Sequence, residues 1–167
     1  LVDPRYDLVR LYRTDIYGKI KHWTGLNGVW AVPGTSYGQD ILLLCREATT
    51  PDASDASLAF AEKKLAEKKN AAAYVYRAIV FAKRGAGERA AADLEAALRL
   101  SPKSAAALYD RALFFTAAGD EKRAKADLEA LVKAQPDFAY AWYNLGVMNL
   151  KAGRNNAAVR DFERVLA

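Results

Sequence analysis

Nucleophilic catalysis and metal binding need thiols, imidazoles or clustered carboxylates at defined spacing. This chain of 167 residues holds one cysteine, Cys45, and one histidine, His22. No Cys-His signature surrounds them, and Cys45 closes the apolar run Ile41–Cys45, where a buried, inert thiol is the ordinary outcome. A lone cysteine permits no internal disulfide and no multi-cysteine zinc site. The stretch Gly34-Thr35-Ser36-Tyr37-Gly38 has the glycines of a phosphate cradle, but no lysine follows and no strand signal precedes it. The expectation is a protein that is not an enzyme and that carries no cofactor and no metal.

The bulk properties narrow the classes further. Hydrophobic residues make up 52% of the chain and charged residues 27%, a balance that can bury enough apolar surface to offset the entropy of ordering. No apolar run approaches the ~18–20 residues needed to cross a bilayer, so a soluble chain without a membrane span is expected, and the choice between cytoplasm and periplasm stays open. The net charge of +5 is spread thinly. Its one dense run, Lys63, Lys64, Lys68 and Lys69, falls at the end of an expected helix, where cations suit the helix dipole. Nucleic acid is therefore not an expected partner, because a phosphate track needs clustered cations with polar or aromatic readers beside them. The first residue is Leu1 and no secretory leader precedes the fold, so the sequence reads as a processed or excised piece.

The elements that would position any functional side chain are announced by a period. Gly85, Gly119 and Gly153 are 34 residues apart, Ala90, Ala124 and Ala158 keep the same step, and so do Pro102 and Pro136. A fixed period of this size means stacked helical hairpins. Units drawn at 71–104, 105–138 and 139–167 align without a gap. Their eighth positions, Ala78, Ala112 and Gly146, are small where two helices of a hairpin cross, and their twentieth positions are all Ala. Leu94, Leu128 and Phe162 at the twenty-fourth position fill the space between hairpins. Each glycine at position fifteen suits the left-handed residue that ends a first helix, and Pro102 and Pro136 stop the second.

These residues resemble the tetratricopeptide repeat, whose pattern runs Trp-x2-Leu-Gly-x2-Tyr, then Ala-x3-Phe, then Pro. Trp142, Leu145 and Gly146 reproduce its opening. Arg77 and Arg111 depart from it where Leu145 keeps the leucine, and Asn149 replaces the aromatic of Phe81 and Phe115. Asp93, Asp127 and Asp161 recur one position before the inter-hairpin apolar residue, so an arginine on the first helix is expected to pair with an aspartate on the second. The resemblance implies an all-α fold, a right-handed superhelical solenoid of helix-turn-helix hairpins with an N-terminal helical or irregular extension.

Upstream, the reading is less regular. Residues 39–70 are read as a degenerate hairpin with its first half near Gln39–Glu47. Thr50 would cap its second helix, Pro51 would open it, and Ala56 and Phe60 would take the small and large positions. Residues 1–38 are read as an extension: a helix at about 4–23 with the stripe Val9, Tyr12, Ile16, Ile20 and Trp23, then a loop. That stripe is expected to be buried against the repeats or against a neighbouring domain.

In the family, positions two, five, nine and twelve of each unit face a concave groove. The resemblance places Ala72, Val75, Ile79 and Ala82, then Ala106, Tyr109, Leu113 and Thr116, then Tyr140, Tyr143, Val147 and Leu150 there. Family members that hold acidic chaperone tails carry Lys, Arg and Asn at positions five and nine, whereas those sites here are apolar or aromatic. The implied function is a protein–protein interaction scaffold or adaptor whose groove, at Val75, Ile79, Tyr109, Leu113, Tyr140, Tyr143 and Val147, binds an apolar or amphipathic peptide segment. The alternative is a docking or regulatory arm of a larger enzyme or envelope protein. The third unit stops at Ala167, inside its second helix, so Val159, Phe162 and Leu166 are expected near an uncapped end that is covered either by more of a longer parent protein or by self-association into a homo-oligomer.

Overall fold

The computed structural model describes residues 53–166; the expected helix at 4–23, the loop after it, Gln39–Glu47, His22 and Cys45 lie outside them. Among the described residues all regular structure is helical: α1 (Asp55–Glu67), α2 (Ala71–Lys83), α3 (Gly87–Leu100), α4 (Ala105–Ala117), α5 (Glu121–Ala134), α6 (Ala139–Lys151) and α7 (Asn155–Leu166). The pairs α2/α3, α4/α5 and α6/α7 are the three hairpins, and each second helix also packs on the first helix of the next unit. The result is an all-α solenoid.

Local sequence explains where each helix starts and stops. The side chains of Asn70, Ser104 and Asp120 accept hydrogen bonds from the backbone N–H groups of Ala73, Ala107 and Arg123, capping α2, α4 and α5. Gly85, Gly119 and Gly153 adopt φ of 74°, 78° and 71°, and the residue after each bonds back to the carbonyl of Phe81, Phe115 or Asn149. With the glycine N–H groups bonding Ala82, Thr116 and Leu150, this is the Schellman pattern, repeated three times. The first helices are apolar around most of their circumference because they are sandwiched between two second helices. The second helices are amphipathic and keep an outer polar face.

Packing inside the hairpins follows the small positions. Ala78, Ala112 and Gly146 are buried opposite Ala90, Ala124 and Ala158 in the crossing. The arginine departures are paired as the sequence implies. Arg77 donates from Nε and Nη2 to both carboxylate oxygens of Asp93, at 2.7 and 2.8 Å, and Arg111 does the same to Asp127. The guanidinium groups also lie over the rings of Phe81 and Phe115, which Arg89 and Arg123 cover from another side. The third hairpin keeps the aspartate, as Asp161, and changes the other three members together. Leu145 and Ala157 stand where the two arginines would be, and Asn149 stands where the phenylalanine would be. Asn149 then donates to Asp161 at 2.6 Å and accepts from Arg154 at 2.8 Å, so the buried carboxamide and the aspartate both keep partners.

The start of α1 differs from the expectation. Its N-cap is Ser54, whose hydroxyl accepts from the Ser57 N–H, rather than Thr50, which lies outside the described residues. Its buried positions are Ser57, Ala61 and Leu65, while Ala56 is exposed and Phe60 half-buried. The physical reason is the link to α2. It has three residues, Lys68 to Asn70, where the later links have four, and it contains no proline, so extending the 34-residue ruler backwards slips by one.

Candidate functional site

In the wall of first helices, α2 approaches α4 directly, and α4 meets α6 through side chains. The contact between α4 and α6 joins the second and third units. Asn144 on α6 donates from Nδ2 to the Tyr109 hydroxyl on α4 at 3.1 Å and to its own helix at the Tyr140 carbonyl at 2.9 Å. The Tyr109 ring packs against Phe138 and Tyr140, with centroids 5.4 and 6.4 Å apart, and Phe138 meets Tyr140 edge-on. Tyr109 itself is buried. It holds two neighbouring units in register through its ring and its hydroxyl together.

Exposure grades along the wall. Val75 and Ile79 on α2 are buried, as is Tyr109 on α4. Leu113, Tyr140 and Val147 are half-buried, and Tyr143 is 45% exposed. Leu150, one turn beyond Val147, is also exposed. Tyr140, Tyr143, Val147 and Leu150 follow one another at steps of three, four and three, the spacing that lines one face of a helix. Val75 and Ile79 sit two helices away, so the wall does not bring them together with Tyr143. Position five thus changes role between units: Val75 and Tyr109 are interior, whereas Tyr143 reaches solvent.

Tyr143 is not a loose surface ring. Its ring meets that of Phe162 of α7 in a tilted contact, centroids 5.9 Å apart, and Phe162 in turn rests on Gly146. Behind it, Trp142 donates its indole N–H to the Pro136 carbonyl at 2.7 Å and lies beneath the Arg164 guanidinium, which fixes the entry to α6. On the face of α7, Val159 and Leu166 are exposed, although Leu98 and Val132, which hold the position of Leu166 in the earlier units, are buried by the hairpin that follows them.

The wall's electrostatics are muted. Positions two, five, nine and twelve of the three units carry no charge, and Asp110 at position six is a half-buried carboxylate. Two perturbed groups belong to the hairpin interior. Arg77 and Arg111 are held above the ordinary guanidinium range, chiefly by their hydrogen bonds to Asp93 and Asp127, against the opposing effect of burial. They stay charged and serve packing. Among the described residues no group of three His, Cys, Asp or Glu side chains could hold a metal ion. None of the described helices is long and apolar enough to cross a membrane.

Sequence reasoning missed three members of this cluster. Asn144 and Phe138 lie outside positions two, five, nine and twelve, and Phe162 was read only as inter-hairpin filler. The available signal for Asn144 was a carboxamide inside the apolar run of α6, where a polar group needs a partner.

A family model for the tetratricopeptide repeat matches residues 77–124 and 117–167, more than half of the chain. The chain belongs to the tetratricopeptide repeat family. Such arrays are, as a class, protein–protein interaction scaffolds rather than catalysts. The crystal structure of MamA is similar, with a TM-score of 0.57 and 16% sequence identity, covering 77% of this chain and 84% of that one. At that identity the likeness carries the fold alone. None of the curated proteins compared matches the chain. Within the tetratricopeptide hairpins found here, the third is the one that presents large apolar side chains from its first helix to solvent.

Proposed function

We propose that this chain is a non-catalytic adaptor whose first-helix wall binds an apolar or amphipathic peptide segment. In this reading Tyr140, Tyr143 and Val147, with Leu113, supply the contact surface, and Val75, Ile79 and Tyr109 form the foundation beneath and beside it. The observation that carries the reading is Tyr143. A large ring is held half in solvent by a tilted contact with Phe162, at the repeat position where the preceding unit buries a ring of the same kind. A rigid aromatic side chain offers a large contact area at small cost in lost rotamer freedom, and its hydroxyl can meet a peptide backbone. The absence of Lys and Arg from the grooveward positions disfavours an acidic tail as ligand.

The test is selection of binders from a displayed peptide library on the immobilised chain. Enriched sequences are expected to share apolar residues at helical or alternating spacing. Their binding is expected to fall at least about tenfold with Tyr140→Ala/Tyr143→Ala, the loss of ~1.4 kcal/mol or more typical of an anchoring aromatic pair. Enrichment of acidic peptides, or binders indifferent to both tyrosines, would overturn the proposal.

A further inference from the structure

We infer that the third unit holds a single helix of a second protein across α6 and α7, in the place where a further first helix would sit, and that this helix carries an aromatic residue followed four positions later by Asn or Gln. The inference rests on the groove reading above, with which it shares Tyr143, and names the kind of partner that surface takes.

The first observation is which positions open. Positions five, twenty-four and twenty-eight are buried in both earlier units, as Val75, Leu94 and Leu98 and then as Tyr109, Leu128 and Val132. In the third unit Tyr143 is 45% exposed, Phe162 is half-buried and Leu166 is 89% exposed. Tyr143 and Phe162 touch, and Leu166 lies one turn beyond Phe162, so the three make one apolar patch that crosses from α6 to α7. In the earlier units the following first helix covers this place: α4 packs on α2 and α3, and α6 packs on α5 and reaches α4 through side chains. The patch therefore continues an interface that the molecule builds twice.

The second observation is what covers a tyrosine there. Tyr109 has the same residue type at the same position as Tyr143. It is met by the rings of Phe138 and Tyr140 and by Asn144, four residues after Tyr140, which donates to its hydroxyl. Residues at i and i+4 share one helix face, so one short helix delivers ring and carboxamide together. Among the described residues nothing hydrogen-bonds the Tyr143 hydroxyl, and a helix with the same pair satisfies it. Among those residues an aromatic side chain with Asn or Gln four places on occurs once, at Tyr140 and Asn144, where it is already engaged with Tyr109. A second copy of the described array therefore cannot supply the pair without opening its own junction.

The third observation is charge. Arg111, one residue after position six, is held above the ordinary guanidinium range first by its hydrogen bond to Asp127 and, against burial, also by the charge of Glu95 in the preceding unit. Glu163 holds the place of Glu95 in the third unit and is exposed. A basic residue directly after the partner's carboxamide suits it. The first helices have 13 residues each, so the partner helix needs about that length, ~20 Å.

The probe is a fluorescent peptide copying residues 136–152 with Leu145→Arg, held helical by a hydrocarbon staple joining positions 142 and 146, whose side chains face α7 in the chain. It is titrated by anisotropy against the full chain. Saturable binding is expected, weakened at least about tenfold by Leu166→Asp, a change at an exposed site that should leave the melting curve in place. Asn144→Ala in the peptide should weaken binding to the wild-type chain about fivefold and leave binding to the Tyr143→Phe chain unchanged, because only the hydroxyl reads the carboxamide. No saturable binding, binding indifferent to Leu166→Asp, or an equal effect of Asn144→Ala on both chains overturns the inference. So does sedimentation showing a dimer of the chain that Leu166→Asp dissolves, which would give the patch to a second copy. If the stapled peptide fails while library-selected peptides bind through Tyr140 and Tyr143 without regard to Leu166, the helix docking fails and the groove reading stands. If the library peptides are also indifferent to both tyrosines, the groove reading itself fails.

Discussion

Gly146 lies so close to Phe162 that a Cβ built on the glycine would come within 2.6 Å of a ring carbon, with two further ring carbons at 2.8 and 2.9 Å. The first two units solve the same crossing with Ala78 beside Leu94 and Ala112 beside Leu128. The third exchanges a methyl on one helix for a ring on the other, and that ring is the one that supports Tyr143.

Gly146→Ala is therefore expected to destabilise the fold. The alanine would gain about 1 kcal/mol in helix propensity, but overpacking a closed crossing costs about 1–3 kcal/mol. Combining it with Phe162→Leu recreates the pair of the earlier units, so the double variant should be more stable than the sum of the singles by about 1 kcal/mol or more. Chemical denaturation of the four chains checks this, and simple additivity would contradict it.

The hydrogen bonding of the third unit makes a second prediction. Asn149→Phe alone takes the donor from Asp161 and the acceptor from Arg154, and should cost about 1–3 kcal/mol. Adding Leu145→Arg and Ala157→Arg rebuilds the arrangement of Arg77, Phe81, Arg89 and Asp93, and should recover most of the loss. A triple variant no more stable than the single would show that the exchanges are unrelated.

Buried and exposed tyrosines should separate by thermal denaturation. Tyr109→Ala removes a fully packed ring and one of the two acceptors of Asn144, at a cost of about 3–5 kcal/mol. Tyr143→Ala, at a half-exposed site, should cost well under half of that, so a binding defect in this variant reports on contact rather than on unfolding.

The cap of α5 gives a pH dependence. Asp120 is held below the ordinary carboxylate range first by the backbone N–H of Arg123 and then by its guanidinium. A carboxylate depressed in the folded state contributes stability that is present above the unfolded value of about 3.9 and is lost as pH falls through the lower folded value. Asp120→Asn keeps a capping oxygen without the titration. The variant's Tm should therefore fall less than that of the wild type between about pH 4 and pH 2. Parallel curves would remove Asp120 as the source.

Much of this architecture was legible because it recurs. Three glycines at one step fixed the turns, and small residues at positions eight and twenty fixed the crossings, since only a few residue types can serve there. The pairing of Arg77 with Asp93 was also readable, because an arginine replaced the family's leucine on a first helix while an aspartate recurred at one position of the second. What failed was extrapolation beyond the repeat: a link one residue shorter before Asn70 moved the buried face of α1 from Ala56 to Ser57. The grading of the wall was equally hidden. Val75, Tyr109 and Tyr143 share one position, and their exposure depends on what neighbouring helices deliver there, which no single position encodes.

The account depends most on which face of the array a ligand meets. Titrating a library-selected peptide into isotopically labelled chain and following amide and methyl shifts reads this directly. The largest changes are expected on α4 and α6, centred on Leu113, Tyr140, Tyr143 and Val147. Changes concentrated on the outer surfaces of α3, α5 and α7, with those four residues unmoved, would contradict it.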